Sequence, residues 1–572
     1  MRSTTRAVLF SWPLVCALAV CAPLLAPGYV LSHDMVFVPD LGLRRDVLGL
    51  GTALPRAVPS DAVVAVLDNV FGGMLLQKLV LLAIPSVAGW GVIRLVRGIP
   101  RGGAFAALAA STLYVWNPFV AERLVLGHWP LLLGHTALPW LLSATIRLRR
   151  GEGGAWAGFT LAAAGCALSA SSGVVAALVV LPALLWPDGG RLPRAVRVVA
   201  GLAVVAAVNA PWWVTALAGP ASATSDPAGV AAFAARDEHY GGVLPTLLTL
   251  GGVWDADVVP DSRGTAVAII VSAALLALSG AGAVLWWRRQ RNVAGPATVA
   301  ALAALLLAVL GAAAPDALSW LIGVVPGAGL LRDGSRYLGP LVLLEAVGFG
   351  LAAGRLLHLS RSRLPLWSVV PVACGLVLLP VAALPDLTWG AGGRLTVTSY
   401  PADWAQARRV LAADDRPGDV VPWPFEPNRR TFDGRSVVLN PVLRYLPRAA
   451  VVPDQLVVGG VLLEGEDPRA AVIGALLRSG GTTEDLLRNG VGWIAVDWAD
   501  AGRIPSVAAA RPVFVGRTIV LLALDGRAAD PPAVHGVRRV AIVAAWLVAA
   551  ALIGAAVLVL EGGRVRRAIS LR

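Results

Sequence analysis

The loop between Ser32 and Asp40 carries the side chains best suited to acid–base chemistry. Asp34 comes just after an apolar run over residues 7–31, and His33 stands beside it. A carboxylate at the end of a membrane-length apolar segment is costly, which favours a functional role for it. Such a group can act as a general base that takes a proton from a hydroxyl. We predict Asp34 as this base and Asp40 as the second candidate, with a merely hydrated loop as the alternative.

Two further segments place basic side chains at predicted membrane boundaries. These side chains are Arg123 and His128 in residues 116–129, and Arg332 and Arg336 in residues 330–337. Guanidinium groups suit phosphate because their planar donors match its oxygens. We therefore predict that these four residues bind a phosphate group. The alternative is that the acidic neighbours Glu122 and Asp333 neutralise the arginines, and that Arg336 only extends its charged end into water.

The composition indicates a membrane protein. Of the 572 residues, 57% are hydrophobic and 15% are charged, and the mean hydropathy is +0.72. These values are typical of a polytopic α-helical membrane protein. The net charge of +13 comes almost wholly from arginine. Because positive residues accumulate in the cytoplasmic loops of membrane proteins, this charge predicts no nucleic-acid partner.

Apolar segments that could span a bilayer recur along the chain. We predict about twelve of them: 7–31, 71–93, 103–119, 129–146, 155–171, 172–186, 198–217, 264–287, 297–314, 337–357, 366–384 and 537–560. Arginines cluster in alternate loops, which places both termini in the cytoplasm. The longer loops, among them 32–70, 118–128 and 315–336, then face outward. The first apolar run is too long for a cleaved signal peptide, so we expect it to be retained.

The longest outward segment, residues 385–535, predicts a soluble domain. Strands are expected at 420–423 and 493–498 and in a β-rich run over 513–524, with two helical stretches within 467–489. This alternation favours an α/β fold, and no glycine-rich phosphate loop supports nucleotide binding. The predicted organisation is a multi-span membrane domain over 1–384, an extracytoplasmic α/β domain over 385–535, and a last transmembrane helix with a basic cytoplasmic tail over 536–572.

Cysteine and histidine spacing predicts no metal site. The four cysteines all lie in apolar segments, at Cys16, Cys21, Cys166 and Cys374. No disulfide framework or zinc pattern follows from them. His128 and His135 are seven residues apart and share one helix face, but no third ligand has a matching spacing.

Two segments resemble a known family. The sequences NPFVAERLVLGHWPLLLGHTALPW, from Asn117, and LLRDGSRYLGP, from Leu330, are similar to actinobacterial members of the GT-C glycosyltransferase superfamily. These include envelope arabinofuranosyl- and mannosyltransferases, and the likeness covers the architecture of residues 1–384. By this resemblance, Asp34 matches the catalytic acid of the first loop. The loop departs from the family in lacking a paired-acid motif, so no cofactor is predicted with certainty and a divalent cation stays open.

The resemblance implies a polyprenyl-phosphate sugar as donor, an envelope glycan or glycolipid as acceptor, and a plasma-membrane location among membrane lipids. Residues 385–535 would then recognise the acceptor, with Trp404 and Trp423 as stacking surfaces, unless these tryptophans only pack in the core. Asp34 and either Arg332 or Arg336 should face one groove beneath this domain. The competing function is a non-catalytic membrane scaffold or a carrier of lipid-linked glycan. A carrier would keep polar groups near the bilayer midplane, whereas here they cluster at the outer boundary.

Overall fold

Helices dominate the structure, a computed structural model that describes residues 2–187, 193–219, 225–363, 365–497 and 510–570. The helices of the first part are α1 (Arg2–Cys21), α2 (Ser60–Phe71), α3 (Gly73–Arg97), α4 (Ala104–Val115), α5 (Pro118–Val125), α6 (Trp129–Arg149), α7 (Ala155–Cys166), α8 (Ala170–Leu185), α9 (Arg194–Ala218), α10 (Gly229–Ala232), α11 (Val243–Leu248), α12 (Ala266–Ala313), α13 (Pro315–Val324), α14 (Gly339–Arg363) and α15 (Leu366–Ala383). Those that follow are α16 (Thr388–Gly392, a left-handed turn), α17 (Ala402–Ala412), α18 (Val442–Tyr445), α19 (Pro468–Ser479), α20 (Thr483–Arg488) and α21 (Gly536–Ser570).

Eight of the described helices are long and apolar enough to cross a membrane, or nine if the bent pair Trp367–Ala383 and Pro385–Gly392 forms one span. Helix α12 is interrupted at Gln290 (φ −154°, ψ 58°), so its 48 residues contain two helical arms. Helices α7 and α8 are apolar but shorter, with 12 and 16 residues. The chain is thus a polytopic membrane protein, while the larger number of spans expected from the sequence stays a prediction.

Helix α14 packs closely between α4 and α12. A Cβ on Gly282 of α12 would lie 1.7 Å from the carbonyl oxygen of Gly348 on α14, and one on Gly350 would lie 2.3 Å from that of Ala106 on α4. No side chain fits at these distances, so glycine lets the helices touch through their backbones. Because α14 follows directly on residues 330–337, this packing determines where the predicted arginine segment leaves the bundle.

The strands lie mainly in the C-terminal part of the chain. They are β1 (Tyr29–Val30), β2 (Val397–Thr398), β3 (Asp419–Trp423), β4 (Asn428–Arg430), β5 (Val437–Leu439), β6 (Leu456–Val458), β7 (Val461–Leu463), β8 (Val491–Asp497), β9 (Ala510–Val515) and β10 (Ile519–Leu524). Four of them form a sheet in the order β3-β8-β10-β9, with β3 parallel to β8 and the other pairs antiparallel.

This sheet confirms the expected strands and helical stretches. Strands β3, β8, β9 and β10 coincide with the predicted strand segments, and helices α19 and α20 lie within 467–489. Trp498, the last residue of one predicted strand, lies outside the described residues. Buried apolar side chains of β8 and β10 pack against α19 and α20 in a core of their own. The boundaries of the predicted domain, 385–535, stay a prediction.

The loop that carries Asp34 pairs with the C-terminal part of the chain. The His33 N–H donates to the carbonyl of Val437 (2.8 Å), and the Leu439 N–H donates to the carbonyl of His33 (2.8 Å). Further along the loop, Arg44 Nη1 donates to the carbonyl of Leu446 (2.8 Å). The loop is therefore held between the helical bundle and the strands that follow it.

Candidate functional site

The backbone around Asp34 is held against the end of α5. The Asp34 N–H donates to the carbonyl of Leu126 (3.2 Å), and Ser32 Oγ donates to the carbonyl of Val125 (2.7 Å). Gly127 completes this contact with φ of +74°. A Cβ at Gly127 would lie 2.3 Å from the Met35 nitrogen. Glycine is therefore required here both by the left-handed backbone and by the close approach of the Asp34 loop.

His128, the residue after Gly127, is the closest ionisable neighbour of Asp34. Its Nε2 lies 3.4 Å from Asp34 Oδ2, and its Nδ1 lies 3.5 Å from Arg123 Nη1. Burial and the charge of Arg336 lower the pKa of His128 to about 4, although the Asp34 carboxylate raises it. The ring is therefore neutral at pH 7. In the tautomer that fits these neighbours, Nδ1 accepts from Arg123 and Nε2–H points to Asp34.

The Asp34 carboxylate is accessible from the protein surface. Its side chain is 61% exposed, yet enough protein surrounds it for partial dehydration to raise its pKa. The His128 hydrogen bond and the charges of Arg336 and Arg444 outweigh this effect and lower the pKa of Asp34 to about 2. The carboxylate is therefore ionised, accessible and set in a positive field.

Asp333 accepts hydrogen bonds from two of the predicted phosphate ligands, Arg123 and Arg336. Its Oδ2 lies 3.2 Å from Arg123 Nη1 and 2.7 Å from Arg336 Nε, and its Oδ1 accepts from Ser335 Oγ (2.9 Å). Burial would raise the pKa of Asp333, but the charges of Arg123 and Arg336 hold it well below its ordinary value. Arg123 is itself fully buried, so it orients His128 and Asp333 and has no access to a bound ligand at the surface.

Arg336 differs from Arg123 in having donors to spare. Its Nε is bound to Asp333, while its two Nη groups have no hydrogen-bond partner in the described part of the chain. One third of the side chain is exposed. Its charge also lowers the pKa of Asp34, so Arg336 combines unused N–H donors with an electrostatic effect on the carboxylate.

A second arginine near Asp34, Arg444, was missed by the sequence analysis. It lies on α18, and its Nε donates to Asp61 Oδ2 on α2 (2.8 Å). Its Nη1 is buried and has no partner among the residues that the structure describes. No local pattern marks Arg444, because its partner Asp61 lies 383 residues earlier in the sequence.

Arg332 and Asp40 are directed elsewhere. Arg332 Nη1 lies 3.6 Å from Glu466 Oε1, and its guanidinium covers the ring of Phe233 at 4.8 Å. The Asp40 carboxylate pairs with Arg408 at 2.6 Å. Of the two arginines expected to share a groove with Asp34, it is therefore Arg336 whose charge reaches the carboxylate.

The two tryptophans predicted to bind an acceptor are both at least partly covered. Trp404 is 1% exposed, and its ring meets those of Tyr445 and Phe432 edge-on at 5.2 Å each. This burial leaves Trp404 no free face for a sugar, and the expectation is corrected to core packing. Trp423 is half-buried at the end of β3 and packs against the core of the sheet. Its role stays a prediction.

The site thus combines an accessible carboxylate, a neutral imidazole and two guanidinium groups with unused donors. The carboxylate can accept a proton, and the arginines can stabilise negative charge that develops on a bound group. Across the described ranges, no cluster of three or more His, Cys, Asp or Glu side chains is arranged to hold a metal ion.

Comparison with known proteins identifies the fold. No family model matches the sequence, and no curated protein is similar to it. The structure of the arabinofuranosyltransferase AftD from mycobacteria superposes with a TM-score of 0.58 at 17% sequence identity, covering 93% of this chain and 40% of that chain. A mutant form of the same enzyme gives a TM-score of 0.57 at 17% identity, over 92% of this chain and 42% of that one.

ArnT from Cupriavidus metallidurans, bound to undecaprenyl phosphate, matches at a TM-score of 0.43 and 14% identity over 93% of this chain and 99% of its own, which is too low to establish a shared fold. The chain spans about 40% of the length of the mycobacterial arabinofuranosyltransferase. The similarity to that enzyme extends over the bundle and the strands that follow it. The resemblance seen in the sequence is confirmed at the level of the fold: this chain is a polytopic membrane protein whose fold is similar to that of the mycobacterial arabinofuranosyltransferase.

Proposed function

We propose that this protein is a membrane glycosyltransferase that moves a sugar from a polyprenyl-phosphate donor to a hydroxyl of an envelope glycan or glycolipid. The observation that carries the proposal is the accessible carboxylate of Asp34 in the field of Arg336 and Arg444. A carboxylate can take the proton of an acceptor hydroxyl, and two guanidinium groups can bind a lipid phosphate. Sugar transfer requires both the base and the phosphate-binding groups near the anomeric carbon of the donor.

In the proposed reaction, the acceptor oxygen attacks the anomeric carbon and the bond from that carbon to the phosphate oxygen breaks. The electron pair of the broken bond leaves with the polyprenyl phosphate, whose charge Arg336 and Arg444 stabilise. The hydroxyl proton passes to Asp34. A single displacement of this kind inverts the anomeric configuration.

Donor binding would prepare Asp34 for this role. At a pKa of about 2 the free carboxylate is a weak base. The negative phosphate would offset the positive charges of Arg336 and Arg444 that lower this pKa, so the pKa rises when the donor binds. A base whose pKa lies closer to the working pH accepts a proton more readily.

The position in the membrane follows the same proposal. Both termini are placed in the cytoplasm, and the Asp34 loop and residues 385–535 outside it, because arginine-rich loops resist translocation. The fold similarity to an arabinofuranosyltransferase supports an arabinofuranosyl donor as the first to test.

The test compares Asp34→Asn with Asp40→Asn. The assay measures release of polyprenyl phosphate from polyprenyl-phosphoryl arabinofuranose in the presence of an arabinofuranosyl oligosaccharide. Loss of the base should slow Asp34→Asn by a factor of about 10²–10⁴, whereas Asp40→Asn, which loses only a pair with Arg408, should stay active. Both variants should match the wild type in gel-filtration elution volume and in thermal unfolding temperature.

Two results would contradict the proposal. If Asp40→Asn loses activity and Asp34→Asn keeps it, the base is misassigned. If the folded wild type binds polyprenyl phosphate but transfers no sugar from any polyprenyl-phosphate donor, the scaffold or carrier function replaces the enzyme.

A further inference from the structure

A second polar pair is formed by Asp255 and by His33, the neighbour of Asp34 in the chain. His33 Nε2 lies 4.0 Å from Asp255 Oδ2, and the two side chains are 29% and 18% exposed. This distance is too long for a direct hydrogen bond between the two atoms. A ligand that lies against the gap can therefore contact both atoms at hydrogen-bond distance.

The ring of His33 is held in place by the backbone around it. The residue has φ of +45°, a left-handed conformation that is uncommon for a residue with a side chain and recurs at functional sites. Its N–H donates to the carbonyl of Val437, and its carbonyl accepts from the Leu439 N–H, both at 2.8 Å. The ring Nδ1 lies 3.2 Å from the carbonyl oxygen of Val125. These contacts maintain a strained residue and fix the direction of its imidazole.

Asp255 is held opposite His33 by a buried carboxylate. Glu238 is 3% exposed, and its Oε1 accepts from the N–H of Val253 (3.1 Å), two residues before Asp255. Asp255 Oδ1 accepts from the Asp257 N–H (3.0 Å), which leaves Oδ2 without a hydrogen-bond donor in the described part of the chain. Asp255 therefore presents one unused carboxylate oxygen to the gap.

The pair borders the candidate site because His33 and Asp34 contact the same helix end. His33 Nδ1 lies against the carbonyl of Val125, and the Asp34 N–H donates to the next carbonyl, that of Leu126. The Cα atoms of the two consecutive residues are about 3.8 Å apart. A glycan that places one hydroxyl at Asp34 can therefore extend to the gap between His33 and Asp255.

The positions of the protons restrict what the pair can bind. The Val125 carbonyl can only accept, so Nδ1 of the neutral His33 ring carries the proton and Nε2 presents a lone pair. The ionised carboxylate of Asp255 also only accepts. A ligand that satisfies both atoms must therefore bring two donors, and neighbouring hydroxyl groups of a sugar ring supply two O–H groups side by side.

Charge favours hydroxyl groups over a cation as these donors. The carboxylate of Asp34 lies in the positive field of Arg336 and Arg444, and a ligand ammonium or metal ion would be repelled by the same charges. Within the described ranges, the pair also belongs to no cluster of three or more His, Cys, Asp or Glu side chains that could hold a metal ion. A neutral polyol meets both requirements.

We propose that His33 and Asp255 form an acceptor subsite that binds two neighbouring hydroxyl groups of the acceptor glycan while a third hydroxyl reaches Asp34. One bound hydroxyl donates to His33 Nε2 and the other to Asp255 Oδ2. The inference rests on the proposed glycosyltransferase function and adds the class of acceptor to it, a glycan with a vicinal diol close to its reacting hydroxyl. His33 and Asp255 bind the acceptor and take no part in the proton transfer.

Asp255→Asn tests the subsite in the full-length protein. The variant keeps an oxygen for the Asp257 N–H but turns an N–H toward the lone pair of His33 Nε2, so the two side chains satisfy each other. Its affinity for an arabinofuranosyl oligosaccharide, measured by calorimetric titration with polyprenyl phosphate present, should fall by about tenfold or more. Asp257→Asn is the matched control, because it removes the same charge from an exposed side chain two residues away. This control should bind the oligosaccharide like the wild type, and both variants should keep the wild-type affinity for polyprenyl phosphate.

Deoxy forms of the oligosaccharide, each lacking one hydroxyl group, test the diol itself. Loss of either hydroxyl of one neighbouring pair should weaken binding to the wild type by about tenfold, whereas Asp255→Asn should bind these forms and the parent equally. Unchanged affinity in Asp255→Asn, an equal loss in Asp257→Asn, or equal wild-type affinity for every deoxy form would overturn the proposal. If Asp255→Asn fails to fold, the deoxy forms on the wild type still decide.

The binding measurement separates this proposal from the proposed function. If the wild type transfers no sugar but its binding of the oligosaccharide depends on Asp255, the glycan-binding pair stands and the enzyme function falls. If sugar transfer proceeds and Asp255→Asn keeps the wild-type KM for the oligosaccharide, the subsite falls and the enzyme function stands.

Discussion

Replacing Gly127 by alanine should slow sugar transfer without unfolding the protein. Gly127 joins α5 to His128 in the left-handed region, with φ of +74°. A Cβ there would lie 2.3 Å from the Met35 nitrogen and 2.4 Å from the Ser32 oxygen. These two residues flank the His33–Asp34 dipeptide, so the collision falls on the loop that carries the proposed base.

The size of the effect follows from these distances. Ordinary contacts of a Cβ begin at 3.4 Å, so the Asp34 loop must move by about 1 Å. A displacement of that size at a reacting group costs roughly a factor of 100 in rate. The left-handed backbone adds about 1–2 kcal/mol of strain for any side chain, which lowers the free energy of unfolding.

A control separates the collision from the strain. Gly154 has φ of +71° and no atom within 4 Å of an added Cβ, so Gly154→Ala introduces similar strain without a collision. The turnover number, the KM for the donor and the thermal unfolding temperature are measured for both variants. Gly127→Ala should lose turnover while Gly154→Ala keeps it. Equal turnover in the two variants would refute the argument that Gly127 positions Asp34.

Two further variants test the arginine cluster. Arg336→Gln should weaken binding of polyprenyl phosphate by roughly tenfold or more, because charge-assisted hydrogen bonds are lost. Arg332→Gln should bind like the wild type, because the Arg332 guanidinium faces Glu466. An equal loss of binding in both variants would contradict the assignment. Asp333→Asn should lower the free energy of unfolding by about 3–5 kcal/mol, since it leaves the buried guanidinium of Arg123 without its carboxylate counter-charge. Because Arg123 and Arg336 hold the pKa of Asp333 low, its contribution is present above the ordinary carboxyl pKa of about 3.9 and is lost as the pH falls below that value. The difference from the wild type in thermal unfolding should therefore shrink toward pH 3, and a variant as stable as the wild type at pH 7 would disprove the role of this pair.

The class of the protein and the segments that carry the candidate site can be inferred from the amino-acid sequence. Hydropathy predicts the membrane boundaries because the transfer of a segment into the bilayer depends on the composition of that segment alone. Asp34, Arg332 and Arg336 could therefore be selected as candidates from their places beside apolar runs. The strands β3 and β8 could also be predicted, since short apolar runs bounded by turns are typical of buried strands.

Which charged side chains act together depends on the three-dimensional fold. Arg332 and Arg336 are indistinguishable in the sequence. In the structure Arg332 pairs with Glu466, whereas Arg336 pairs with Asp333. Trp404 resembles an exposed stacking residue until the aromatic cluster around it is seen. Arg444 joins the site although its partner Asp61 is 383 residues away in the sequence. Such choices are absent from the sequence pattern because a charge acts on another only within a few ångströms, and the fold alone sets those distances.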